Sequence, residues 1–274
     1  MNRSEIANLI LNRLVEDRQG LHTQFAESQS KVGFFTIDHL LPADLAYEIF
    51  SAFPGPETMK LRKSLREHKY VAAQMNKFNP ILEEAIYAFQ DQRVVEKMRN
   101  ICGAESLYPD EHLYAGGISL MGKGQFLNPH LDNSHEKDRR RWRVLNLLYY
   151  VSPEWERSFG GNLEIWPDGV DNKQVTVDSL FNRLVVMATH GNSWHSVSPV
   201  ASDKYRTCVS NYYFSDSPLR DSDTFHVTSF RGRPEQKVRD LILRTDRVFR
   251  QGVRKLFPKG LVRTDHLYRK DPSD

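Results

Sequence analysis

Apolar residues recur at Ile6, Leu9, Ile10 and Leu14, three and four apart, and predict a helix over residues 5–15. The run Val32–Ile37 predicts a short strand. Asp38 precedes an amphipathic helix near Pro42–Phe53, with Pro42 in its first turn and Pro54 as its stop. Asn79-Pro80 opens another helix that sets Ile81, Leu82, Ala85, Ile86 and Phe89 on one face, and Arg93–Ile101 predicts a further one. The first third thus reads as mostly helical. The texture changes near residue 112. Segments 113–120, 142–151, 162–166, 174–178, 183–188 and 206–214 are short, rich in β-branched, Leu and aromatic residues, and punctuated by Gly, Pro, Asn and Asp. They predict strands. Helical spacing returns at Lys237–Phe257, with Val238, Leu241, Ile242, Phe249, Val253, Leu256 and Phe257 on one side. The pattern predicts an α+β fold, a β-sandwich or barrel buttressed by N- and C-terminal helices. Residues 1–111 read as helical support, 112–216 as the β-core and 217–274 as a C-terminal helical extension, together one compact unit.

Composition changes this picture little. The 274 residues are 39% hydrophobic and 27% charged, which excludes a disordered chain. No apolar run approaches the ~20 residues of a membrane span, and the first twenty residues lack a secretory signal's apolar core. Cys102 and Cys208 form no disulfide framework and read as reduced thiols of a cytoplasmic protein. A net charge of +3 gives no case for nucleic acid. Residues 235–274, however, hold 11 Lys and Arg against 6 Asp and Glu. The 237–254 helix carries Arg239, Arg244, Arg247, Arg250 and Arg254 on its polar side. That is a solvated face, or a surface for an acidic partner or an anionic membrane.

The informative stretch is Asn128-Pro-His130-Leu-Asp132-Asn133. In an extended segment residues two apart share a face, so His130 and Asp132 project together. A nitrogen and an oxygen ligand on one face are two thirds of the 2-His-1-carboxylate triad that holds non-heme Fe(II). A distant His must complete it. His195, in Trp194-His195-Ser-Val197-Ser-Pro199, is one candidate and His190 a rival. Arg206, eleven residues after His195, opens an apolar strand where it can grip a carboxylate with two hydrogen bonds. Tyr150, in Leu147-Leu148-Tyr149-Tyr150, can donate a further one.

Together these segments resemble the prolyl-hydroxylase-like branch of the Fe(II)/2-oxoglutarate-dependent oxygenases. The resemblance runs over residues 113–215 and includes Pro129-His130-Leu-Asp132-Asn133, the Tyr149-Tyr150 strand, Trp155 to Gly160-Gly161-Asn-Leu163, Asn182-Arg183-Leu184-Val185, His195-Ser-Val197-Ser-Pro199 and Arg206 to Phe214. It implies a double-stranded β-helix, or jelly-roll, core. It implies Fe(II) on His130, Asp132 and His195, with His190 a turn residue. It implies 2-oxoglutarate held by Arg206 and Tyr150, O2 as second co-substrate, and hydroxylation of a C–H bond with release of succinate and CO2. One departure is visible. Ser119-Leu120-Met121 stands where such enzymes supply a second Tyr to the co-substrate.

Other residues are weaker candidates. Asn146 shares strand parity with Tyr150 and is expected to face the co-substrate. Asn133 is a substrate contact or an Asx-turn. Trp166 and Trp194 line a substrate pocket or belong to the core. The cluster Arg139-Arg140-Arg141-Trp142-Arg143 suggests an anionic substrate. By parity Trp142 should point inward and Arg141 and Arg143 away, which leaves Arg139 and Arg140 to reach a ligand. With no docking module in view, a small-molecule substrate is favoured over a protein side chain. A non-catalytic member of the fold is disfavoured by the intact triad, and a cupin-type isomerase by the Arg206–Tyr150 pair.

Overall fold

The computed structural model describes residues 1–256 and 267–268, with side chains as far as residue 246 and again at 267–268. Asn2 accepts a hydrogen bond from the Glu5 amide while the Glu5 side chain accepts from the Asn2 amide, and this capping box starts α1 (Arg3–Glu16). Asn79 caps α4 (Pro80–Ala88) and Asp91 caps α5 (Gln92–Cys102), which Gly103 ends in the left-handed conformation. Helix α3 spans Ala43–Ser51 behind Pro42. Helix α2 (Arg18–Ser28) has no counterpart in the periodicity, because only Leu21 and Phe25 are buried along it.

The strands are β1 (Phe34–Ile37), β2 (Lys60–Lys63), β3 (Glu67–Ala72), β4 (Tyr108–Pro109), β5 (Gly117–Met121), β6 (Phe126–Leu131) and β7 (Trp142–Tyr150). Then follow β8 (Leu163–Ile165), β9 (Val175–Val177), β10 (Arg183–Ala188), β11 (His195–Val197), β12 (Arg206–Ser215) and β13 (Ser229–Phe230). They form one curled antiparallel sheet in the order β1-β10-β7-β12-β5-β3-β6-β11-β8-β9, with β2 added to β3, β4 to β12 and β13 to β6. This is the expected jelly-roll.

The hairpin β2–β3 lies inside the stretch read as helical and joins β5 and β6. Its alternation escapes notice because both strands are polar: the side chains of Lys60, Arg62, Glu67 and Lys69 border a cavity and not a core.

Alternation along β7 and β10 sorts the two faces. Leu145, Leu147, Tyr149, Leu184 and Val186 pack outward with the helices, while Tyr150, Val185 and Met187 pack inward with Leu163 and Ile165. Both faces are covered, so these strands read as nearly continuous apolar runs. The alternation breaks once. Tyr213 pairs with Leu145 but Phe214 pairs with Arg143, so Val144 is the extra residue of a β-bulge.

Asn182 fastens the helical layer to the sheet. It sits at φ 59°. Its Oδ1 accepts from the Leu41 amide at 3.0 Å and from the Tyr149 hydroxyl at 2.8 Å, and its Nδ2 donates to the Leu41 carbonyl at 2.6 Å. Helix α6 (Lys237–Leu256) departs from expectation. Val238, Leu241 and Ile242 are exposed and Leu243 is buried instead. Phe257 lies outside the described residues, as do the side chains of Arg247, Phe249, Arg250, Val253, Arg254 and Leu256.

Asn182→Ala should lower the free energy of unfolding by about 3 kcal/mol, since three buried hydrogen bonds worth roughly 1 kcal/mol each are lost together. Urea denaturation checks this; a change below ~0.5 kcal/mol would mean the contact is dispensable.

Candidate metal and co-substrate site

Strands β6 and β11 run antiparallel with His195 directly opposite His130. Their rings approach to 4.1 Å between centroids. Asp132 follows β6, and its Oδ1 lies 3.7 Å from His130 Nε2 and its Oδ2 3.8 Å from His195 Nε2. The ligand atoms of all three lie within 4.8 Å of one another, the one such cluster among the described residues. Both imidazoles are aimed by their other nitrogen. His130 Nδ1 lies 3.0 Å from the Asn128 carbonyl and His195 Nδ1 2.9 Å from the Ser193 carbonyl. Each Nδ1 is thereby the protonated nitrogen, and each Nε2 presents a lone pair to the cluster. Phe230 of β13 stacks on His130 at 5.2 Å.

Burial drives the His130 pKa down to about 3, with the neighbouring His195 adding to the effect, so the imidazole stays neutral. Burial alone would raise the pKa of Asp132. The charge of Arg143, with His195 and His130, overrides this and holds the carboxyl below its ordinary value. Asp132 Oδ2 is buried with no hydrogen-bond partner. Two Nε2 lone pairs and one ionised carboxylate with an orphaned oxygen fit a divalent iron.

The parity argument for Arg143 is corrected here. The bulge at Val144 reverses the alternation, so Arg143 turns inward, buried, with Nη1 3.6 Å from Asp132 Oδ1. Trp142 instead stacks on Phe225 at 4.1 Å.

Arg206 is 3% exposed on β12. Its Nε reaches Ser179 Oγ at 3.4 Å and its Nη1 only the Met121 sulfur at 3.7 Å. No carboxylate among the described residues pairs with it. The guanidinium lies 4.6 Å from the centre of the Tyr150 ring. The Tyr150 hydroxyl is buried without a well-formed hydrogen bond, and burial pushes its pKa up to about 12, which keeps it a neutral donor. Asn146 Oδ1 is likewise buried and unpartnered. A buried cation and an orphaned phenol donor suit a carboxylate ligand. Gly161 makes room for the arginine: it sits at φ 65°, and a Cβ there would lie 3.0 Å from Arg206 Cδ.

Of these groups His130, Asp132, His195, Arg206 and Asn146 line one cavity of about 990 Å³, while Tyr150 is buried beside Arg206 and is not on its wall. Asn133 also lines it, with Tyr114 at its mouth; their side chains are 3.4 Å apart. Trp166 does not line it. It is buried and donates to Ser196 Oγ at 2.8 Å, behind His195. Ser196 in turn donates to Glu164, which pairs with the buried Arg233 at 2.7 Å. Trp194, Arg139 and Arg140 are also absent from the cavity wall. His190 stands outside the metal cluster and accepts from the Asn192 amide at 3.1 Å. Arg183 pairs with Asp38 at 2.8 Å and does not line the cavity. Sequence reasoning missed Arg143, Tyr212 and the β2–β3 cations. The clue was present for the hairpin alone, in the alternating cations of Lys60, Arg62 and Lys69.

Comparison with known proteins agrees with this geometry. Residues 116–214 match the model of the 2OG-Fe(II) oxygenase superfamily. The structure resembles a prolyl-4-hydroxylase from Pseudomonas putida, with a TM-score of 0.51 at 18% identity over 70% of this chain and 97% of that one. It resembles a 2OG-Fe(II) oxygenase family oxidoreductase from Burkholderia pseudomallei, with a TM-score of 0.50 at 14% identity over 73% and 90%. It also resembles the non-heme alpha ketoglutarate dependent epimerase SnoN from nogalamycin biosynthesis, with a TM-score of 0.51 at 11% identity over 81% and 87%. No curated protein sequence matches.

Anaerobic ferrous titration with metal analysis checks the triad. His130→Ala, Asp132→Ala and His195→Ala should each lose at least tenfold in iron affinity, about 1.4 kcal/mol or more, whereas His190→Ala should retain it. Equal losses in His190→Ala and His195→Ala would displace the site.

Proposed function

Since this chain belongs to the 2OG-Fe(II) oxygenase superfamily, whose enzymes use Fe(II), 2-oxoglutarate and O2, we propose that it hydroxylates an unactivated C–H bond of a small molecule. Ferrous iron, when bound, couples decarboxylation of 2-oxoglutarate by O2 to oxidation of the substrate, releasing succinate and CO2. His130, Asp132 and His195 would hold it, leaving the remaining coordination positions to co-substrates. The observation that carries the reading is the buried Arg206, which no carboxylate among the described residues neutralises.

Each residue has a distinct task. Arg206 receives the distal carboxylate of 2-oxoglutarate with its fork of donors, and Tyr150 donates to the same group. Ligand binding satisfies a buried cation that is otherwise costly. Asn146 offers its side chain to the co-substrate from the second inward position of β7 after Tyr150, with Leu148 between them. Arg143 keeps Asp132 ionised. Leu163, Met121 and Leu148 give the cavity apolar walls that limit water around the reacting atoms. No general base is assigned, because hydrogen-atom removal from carbon needs none.

A small substrate is favoured because the ligands and the clamp lie in one deep cavity that exceeds the size of 2-oxoglutarate. Among the described residues no helix is long and apolar enough to cross a membrane. A reducing cytoplasm suits the two free, buried thiols.

Succinate should form only when Fe(II), O2 and 2-oxoglutarate are all present. Arg206→Leu should raise the 2-oxoglutarate requirement by at least tenfold with iron affinity unchanged, given about 2–5 kcal/mol for one half of a buried charge pair. Tyr150→Phe removes one hydrogen bond to a charged group, about 1.5–3 kcal/mol, and should cost less than Arg206→Leu. An unaltered 2-oxoglutarate requirement in Arg206→Leu would reject the clamp.

A further inference from the structure

The cavity wall carries far more positive than negative charge. Lys60, Arg62, Arg66, Lys69, Lys77, Arg143 and Arg206 line it, against Glu67 and Asp132 among the described residues. Loading with a ferrous ion and a 2-oxoglutarate dianion leaves that excess unchanged, because the two cancel. The excess therefore concerns a third component.

The unassigned cations concentrate on the β2–β3 hairpin. Lys60 pairs with Val71 and Arg62 with Lys69 across the two strands, so Arg62 and Lys69 stand side by side on the cavity face. Both turn to one carboxylate: Glu67 lies 3.7 Å from Arg62 and 3.2 Å from Lys69. One negative charge thus serves two adjacent cations, with Lys60 on the same face beyond them. Arg66 is otherwise engaged, 2.6 Å from Asp246. Lys69 lines the same cavity as His130, Asp132 and Cys208. Like charges set side by side in a strand pair destabilise it, and an exposed hairpin gains nothing from them unless an anion binds between.

We infer that the β2–β3 hairpin is the substrate-recognition element, and that Arg62 and Lys69 receive a dianionic phosphate group on a small-molecule substrate whose carbon skeleton reaches the metal face. The proposal rests on the oxygenase reading of the cavity. A phosphate fits better than a carboxylate. Its three terminal oxygens accept from the Arg62 fork and the Lys69 ammonium together, and its two charges match the surplus that Lys60, Arg62 and Lys69 leave over Glu67. An acidic peptide fits less well, since Arg62 and Lys69 turn to one carboxylate, Glu67, and so come within reach of one small group. The Arg139–Arg140 pair, the obvious anion site in the sequence, lies off the wall of this cavity.

The test uses the full chain loaded with Mn(II) and saturating 2-oxoglutarate, so that Arg206 is occupied. Phenyl phosphate, benzoate, phenol and a decaglutamate peptide are titrated by calorimetry. Phenyl phosphate should bind more tightly than benzoate, phenol should not bind, and added sodium chloride should weaken the phosphate. Arg62→Gln/Lys69→Gln should weaken phenyl phosphate about tenfold or more and leave 2-oxoglutarate uptake unchanged. Arg62→Lys keeps the charge but loses the fork, and its affinity for phenyl phosphate should fall between those of the wild type and the double variant. Equal affinity for phenyl phosphate in the wild type and the double variant, with normal 2-oxoglutarate uptake, overturns this proposal alone. So does benzoate binding as tightly as the phosphate, or tighter binding of decaglutamate, which would make the substrate an acidic peptide. Failure of the wild type to take up 2-oxoglutarate overturns the oxygenase reading as well.

Discussion

The register of β6 on β11 is the constraint from which the site follows. His195 faces His130 in that pairing, and Asp132 leaves β6 two residues later on the same side. Because neighbouring side chains of a strand point to opposite faces, a slip of one residue at the His195–His130 pair would send one imidazole to the far face and leave no ligand set. The register is held from several directions. On the outer side β13 pairs with β6 and lays Phe230 on His130. Behind β11, Trp166, Ser196, Glu164 and Arg233 form a closed chain of buried hydrogen bonds and charge. Breaking such a buried pair on one side is costly, so the chain resists any shift of the strand.

A second theme is charge held away from water. Asp132, Arg143 and Arg206 are ionic groups in a largely buried wall, and only Asp132 and Arg143 face one another. Arg206 has a phenol, a hydroxyl and a thioether around it and no anion. The fold tolerates this because Arg206 borders the cavity, where a ligand carboxylate can reach it. Binding 2-oxoglutarate thus completes the charge pairing that the core lacks, which links co-substrate affinity directly to burial.

Much of this was legible in the residues themselves. Helices α1, α3, α4 and α5 and most strands of the sheet stand where the hydrophobic spacing put them, because each has one clearly apolar face or a capping residue. The inward set of His130, Asp132, Asn146, Tyr150, His195 and Arg206 was legible because alternation and a shared motif agreed. The failures have local causes. Arg143 was assigned outward because a bulge at Val144 leaves no trace in the pattern. The hairpin β2–β3 escapes the pattern because Lys60, Arg62, Glu67 and Lys69 face a cavity, which leaves only Tyr70 and Ala72 to pack on the core. The apolar stripe of α6 was expected to be covered, yet Val238 and Leu241 are exposed, since the helix rests on the body through Leu243 and the Asp240–Arg231 pair.

The claim on which the rest depends is that one cavity holds the metal on His130, Asp132 and His195 and the co-substrate on Arg206. A crystal structure of the protein with Mn(II) and 2-oxoglutarate, grown without oxygen, tests it directly. The account predicts density for a metal bonded to both Nε2 atoms and an Asp132 oxygen, with the distal carboxylate of 2-oxoglutarate in a two-point contact with Arg206 and within reach of the Tyr150 hydroxyl. A metal bound elsewhere, or a 2-oxoglutarate carboxylate paired with any cation other than Arg206, would contradict it.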